Sequence, residues 1–297
     1  MRSSASRILH AAALTTLLAS PSACSSAPVL NGSATLGVDD GGRYTTPVTL
    51  NGAGPFAFIV DTGAQASVML ARTSAKLNLH PTGSAQIIGA SGRESSGFVS
   101  VADYRSGMFA RRDESMVVIP NGTVTNADGV LGMNAFVSGR IELGFAKRML
   151  TVGPSGPAPK GFLVQSGGVR QGSFMVVDVV VDGVRAKAMV DTGGRRTVGN
   201  PALQAALGIK ADDARLQATD SIGGATTQKT AASKAVLGEM TIGAAVFSKP
   251  MVTFADLPVF HSLGLDDGPA MIVGIDEFSR LQAMAIDYPR KELQLLQ

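Results

Sequence analysis

The chain of 297 residues has one cysteine, Cys24, so no internal disulfide can form. Tryptophan is absent and the other aromatics are 12 Phe and 3 Tyr, too few for a base-stacking platform. Charged residues make up 16%, below the roughly 25% usual in soluble domains. Apolar residues nevertheless reach 45%, ample for a core, which excludes wholesale disorder. The formal charge is only +3, and without Arg2 and Arg7 the count falls to 24 basic against 23 acidic residues. Nucleic acid therefore has no electrostatic claim as a partner.

Long apolar runs are also missing. Ile8 to Ala19 is a mostly apolar run of 12 residues behind a basic start. A bilayer span needs about 20, so residues 1–23 read as a signal peptide rather than a membrane anchor. Cys24 directly follows Ser22-Ala23, which resembles a bacterial lipoprotein cleavage site, although Pro21 stands where such sites usually carry Leu. The expectation is an exported protein of the periplasm or cell envelope, touching membrane only through a lipid on Cys24. Residues 24–40 read as a polar tether.

What the chain does have is an internal repeat. Residues 48–69 read VTLNGAGPFAFIVDTGAQASVM and residues 179–200 read VVVDGVRAKAMVDTGGRRTVGN. Each copy has a β-branched run, an Asn-Gly or Asp-Gly hairpin signal, and an apolar strand ending in Asp-Thr-Gly. Each is followed downstream by two apolar residues and a glycine, Val130-Leu131-Gly132 and Ile272-Val273-Gly274, then a short helical segment and a closing hairpin. Short helices are expected at 68–78 and 200–208, the second capped by Asn200 with Pro201 at its first position. The Gly/Pro-rich stretch GPSGPAPKG begins a linker. The organisation expected is a mainly β chain: an N-terminal lobe over 41–152, a linker over 153–168 and a C-terminal lobe over 169–297.

A single Asp-Thr-Gly is a common turn. Two copies 130 residues apart, both after apolar strands and both with a hydroxyl six residues beyond the Asp (Ser67, Thr197), ask for a shared role. At these motifs the chain resembles the bacterial retropepsin-like aspartic proteases, in the tandem form with two domains in one chain. The resemblance spans nearly all of 41–297. It implies a bilobal, pseudo-two-fold fold of two β-barrel lobes and an aspartic endopeptidase acting on polypeptide as a monomer, with no cofactor and no metal. Asp61 and Asp191 would be the catalytic pair. Thr62 and Thr192 would lock the two loops together, and Gly63 and Gly193 would let backbone pass close to the carboxylates. Glycine-rich flaps over the cleft are expected at 87–97 and 221–231, with Gly89, Ala90, Ser91, Gly223 and Gly224 as substrate-contacting positions.

The chemistry agrees with that assignment. Hydrolysing an amide without metal or covalent intermediate needs a base for water and an acid for the departing atoms. Two carboxylates about 3 Å apart share one proton and supply both. Ala64 and Gly194 stand where pepsin-like enzymes carry Ser or Thr, which removes donors to the charged form and is expected to raise the pair's titration toward mildly acidic or near-neutral pH. Arg195 and Arg196 read as a solvated turn, with a bias toward acidic substrates as the functional reading. Asp39-Asp40, Asp212-Asp213 and Asp266-Asp267 read as solvated turns, lacking calcium-loop spacing. The rival from another class is a catalytically inactive peptide-binding envelope protein on the same scaffold.

Overall fold

The computed structural model describes residues 31–121, 126–219 and 221–297, with the backbone of a two-residue strand at Ala13–Leu14 that pairs antiparallel with Ile88–Gly89. The rest of residues 1–23, read from sequence as a signal peptide, lies outside the described residues, and so does Cys24.

The first lobe begins where the Asn51-Gly52 turn folds Tyr44–Leu50 onto Ala53–Val60. Both turn residues have positive φ, 51° and 76°, which matches the right-handed twist of the flanking strands. From there the circuit runs Ala53–Val60, Gly129–Leu131, Val68–Leu70, Phe109–Ile119, Gly92–Ser106 and back to Tyr44–Leu50, closing a six-stranded barrel. Closure removes the free sheet edges.

The second lobe repeats the circuit. Asp182-Gly183, again with positive φ, folds Phe174–Val181 onto Val184–Val190, followed by Ala270–Val273, Thr197–Gly199, Met251–Phe254 and Ser233–Val236. The two longest strands of the first lobe are each split here. Glu239–Ile242 returns to Phe174–Val181 and pairs with Ala245–Ser248. Gly238 and Pro250 mark the breaks, since proline has no N–H for the ladder. Two hydrogen bonds bridge them, Leu237 N–H to Pro250 C=O at 2.9 Å and Lys249 N–H to Gly238 C=O at 2.8 Å.

A six-stranded antiparallel sheet joins the lobes: Leu163–Arg170, Glu292–Leu296, Ala283–Asp287, Arg140–Gly144, Met149–Gly153 and Gly32–Thr35. At its centre one closing hairpin from each lobe pairs through Arg140–Gly144 and Ala283–Asp287. Two segments read from sequence as connectors are strands here. Gly32–Thr35, placed in the tether, covers the outer edge of Met149–Gly153, and Leu163–Arg170, whose first residues were placed in the linker, covers Glu292–Leu296. Both edges would otherwise expose unpaired backbone. The helices are shorter than expected. Ala71–Lys76 starts late because Val68–Leu70 is buried strand. Pro201–Ala206 is capped by Asn200, whose side-chain oxygen accepts from Leu203 N–H at 2.8 Å. Among the described residues no helix is long and apolar enough to cross a membrane.

Candidate active site

In each lobe a short strand lies parallel to the one ending in Asp-Thr-Gly: Gly129–Leu131 beside Ala53–Val60, and Ala270–Val273 beside Val184–Val190. The Leu131 carbonyl accepts from Asp61 N–H at 3.1 Å and the Val273 carbonyl from Asp191 N–H at 3.0 Å. The two aspartates, 130 residues apart, thereby reach the lobe interface, where both are buried and each carboxyl lies against the glycine that follows the other's Asp-Thr.

The loops that carry them are tied reciprocally. Thr62 Oγ1 donates to the Val190 carbonyl at 2.9 Å and accepts from Thr192 N–H at 2.9 Å. Thr192 Oγ1 donates to the Val60 carbonyl at 2.7 Å and accepts from Thr62 N–H at 3.1 Å. Both threonines are fully buried. A second reciprocal pair lies four residues beyond each Asp. Gln65 Nε2 donates to the Gln171 carbonyl of the other lobe at 2.5 Å, and Arg195 Nε donates to the Gly41 carbonyl at 3.2 Å. Arg195 is exposed in the loop, as expected of a solvated turn, and carries this one bond between the lobes, while Arg196 Nη1 donates to Thr219 Oγ1 at 3.1 Å.

The glycines answer to close approach. A Cβ on Gly63 would come within 2.5 Å of the Asp191 carboxylate, and one on Gly193 would collide with that of Asp61. Behind the loops the two hydroxyls noted in the repeat do matching work: Ser67 Oγ accepts from Gly132 N–H and Thr197 Oγ1 from Gly274 N–H, each at 3.1 Å.

The pair is not symmetric. Asp61 Oδ1 accepts one backbone donor, Gly63 N–H at 2.8 Å. Asp191 Oδ1 accepts two, Gly193 and Gly194 N–H, each at 2.9 Å. Donors to the charged form favour it. Burial raises both carboxyls above the ordinary range, and at Asp61 the negative charge of Asp191 adds to it. The two titrate as one unit, and the second backbone donor favours the charge on Asp191.

Two contributors went unread in the sequence. Asp39, placed in a solvated turn, is 6% exposed and ion-paired to Arg43 at 2.7 Å, while also accepting Gly41 and Arg43 N–H at 2.8 Å each. Arg43 is buried, and its charge acts to lower both Asp61 and Asp191 against the larger effect of burial. Asp40 is exposed, as expected. The spacing of Asp39 and Arg43, four residues around Gly41-Gly42, was the available signal.

The other is Asp276, in the short helix Ile275–Phe278. It accepts from Thr197 N–H (2.9 Å), Thr197 Oγ1 (2.8 Å) and Glu277 N–H (3.0 Å), bracing the hydroxyl that holds Gly274. Burial outweighs these donors and pushes its carboxyl up to about 6. The unfolded value is about 3.9, so between these values the folded chain holds a proton that the unfolded chain has lost. Stability therefore falls as pH rises from 4 to 6, by about 2 kcal/mol from this group alone. Thermal melting across that range is expected to show a declining midpoint in wild type and in Asp61→Asn; a flat or rising midpoint would contradict the assignment.

The expected flaps are hairpin tips that meet. Gly89 ends one strand, Ala90-Ser91 form the turn and Gly92 opens the next strand. Gly223 lies in Ile222–Gly223, paired with Lys229–Thr230, and Gly224 starts the turn against Ala90. Ser91 donates its hydroxyl to the Gln228 carbonyl at 2.6 Å.

A closed six-stranded barrel and its repeat with two strands split, related by a pseudo-two-fold and sharing one buried carboxyl pair, define a bilobal acid–acid site. The chain belongs to the aspartyl protease family, whose model matches it twice, over residues 46–135 and 177–276. No match was found among curated proteins.

Proposed function

We propose that this protein is an aspartic endopeptidase in which Asp61 and Asp191 activate one water against a peptide bond. The observation that carries the reading is the reciprocal threonine lock, which holds two buried carboxyls together at the lobe interface. Asp191 takes a proton from the water as its oxygen bonds to the carbonyl carbon, and Asp61 gives its proton to the carbonyl oxygen. The tetrahedral diol then collapses. The amine nitrogen receives the proton held by Asp191, a hydroxyl proton returns to Asp61, and the C–N bond breaks. Each round ends with one proton on the pair, as it began.

Both carboxyls come from one chain, so a monomer is sufficient. The leader-like N-terminus supports export to the periplasm or envelope, with a lipid on Cys24 as the membrane tie. The test is cleavage of a peptide library by the purified protein, with products identified by mass. Peptide binding without cleavage at any pH would transfer the protein to the inactive binding class.

The pH dependence follows from burial. The singly protonated pair is the working form, and it titrates as a unit. With both carboxyls raised, the acid limb of kcat/KM is expected above the ordinary Asp value of about 3.9, with activity extending to mildly acidic or near-neutral pH. Activity confined below that value would contradict the proposed pair.

A further inference from the structure

The two flaps differ in how well each can hold its own shape. The first is a hairpin in which Gly83–Gly89 pairs through seven residues with Gly92–Phe98, continuing into the barrel wall. The second tip has two paired residues on each side, Ile222–Gly223 with Lys229–Thr230. A two-stranded ribbon that short has little stability of its own in water. Its order has to come from a neighbour.

The neighbour is the first flap. The Glu94 carboxylate accepts from Thr227 N–H at 2.9 Å and from Thr227 Oγ1 at 3.2 Å. Gln228 Nε2 donates to the Arg93 carbonyl at 3.1 Å, and Ser91 Oγ donates to the Gln228 carbonyl at 2.6 Å. Thr226 is buried against Gly89, and a methyl group on Gly92 would overlap the Gln228 side chain. The tips also share one apolar cluster with the surroundings of both Asp loops: Ile88, Ala90, Ile222 and Ala225 belong with Ala64 and Val198. The interlock is one-sided, since among the described residues the carboxylate in it comes from the first flap.

We propose that Glu94 is a positioning residue that latches the weak second flap to the strong first one, fixing both tips over the cleft. It touches no reacting atom. Its role rests on the proposed protease reading, because the bound peptide is what the paired tips would hold. An extended segment can lie beneath a latched roof, whereas a folded surface cannot, so the latch selects unfolded or loop-borne peptide.

Amide hydrogen exchange and peptide kinetics on the purified chain test this together. Glu94→Ala is expected to speed exchange in residues 222–230 about tenfold while leaving 83–89 and the barrel strands unchanged. KM for a cleaved peptide is expected to rise about tenfold with kcat within twofold. Glu94→Gln, which keeps an accepting oxygen, should recover most of the protection and of KM. Ser91→Ala, which removes the donor to the Gln228 carbonyl with Glu94 intact, should speed exchange in the same residues to a smaller extent. Unchanged exchange at 222–230 in Glu94→Ala overturns the latch, and unchanged KM in an active enzyme overturns its positioning role. A wild type that cleaves nothing, with the exchange change still present in Glu94→Ala, defeats the protease reading and leaves the latch standing.

Discussion

Asp61→Asn and Asp191→Asn are each expected to lower kcat/KM by ~10³-fold or more while leaving the fold intact. The reasoning is specific to each side. An amide at position 61 keeps a donor toward Asp191 but cannot surrender its proton to a carbonyl oxygen. An amide at position 191 keeps one acceptor for the Gly193 and Gly194 N–H groups but cannot take a proton from water. Each change also removes a desolvated carboxyl from a pair that burial and mutual repulsion already strain. The melting temperature should therefore hold or rise as activity falls, which separates lost chemistry from lost structure. The double variant should be no worse than either single one, since the two groups act as one unit. Measurable turnover above one per cent of wild type in either single variant would show that the reaction runs without the pair.

Much of this site was legible in the primary structure because the repeat carries it twice. Asn51-Gly52 and Asp182-Gly183 announce hairpins on their own, and an apolar strand ending in Asp-Thr-Gly has to leave the sheet at the aspartate. Asn200 and Pro201 specify a helix start locally, and the helix is there. What escaped depends on contacts between distant segments. Nothing in Gly32–Thr35 says strand: its burial alternates only weakly, and it is recruited because Met149–Gly153 needs an edge partner. Asp39 looks like any turn acid until Arg43 and the second lobe's Arg195 close around its loop. Asp276 occupies the place of Asn134 in the first copy, and only the three-dimensional neighbour Thr197 gives it work. The repeat also hides its own asymmetries. Gly194, a departure from the pepsin pattern, contributes a backbone donor to Asp191 and so helps decide which carboxyl keeps the charge.

Thr62→Val is expected to cost about 2–5 kcal/mol of stability and most of the activity, out of a total that for domains of this kind is roughly 5–15 kcal/mol. Valine fills the same volume but neither accepts nor donates. It leaves Thr192 N–H and the Val190 carbonyl without partners, at a site with no solvent exposure. Each orphaned buried group costs roughly 1–3 kcal/mol. Thr62→Ser keeps the hydroxyl and loses one methyl, for about 1 kcal/mol. By the pseudo-two-fold, Thr192→Val should behave like Thr62→Val, orphaning Thr62 N–H and the Val60 carbonyl. The double variant should cost less than the sum, because the first break already loosens the junction and admits water to the remaining groups. Urea unfolding of the four variants beside wild type reads all of this. A Thr62→Val protein within about 0.5 kcal/mol of wild type would mean that the two loops are held by the surrounding barrels, and that the hydroxyl lock contributes little to setting the distance between the carboxyls.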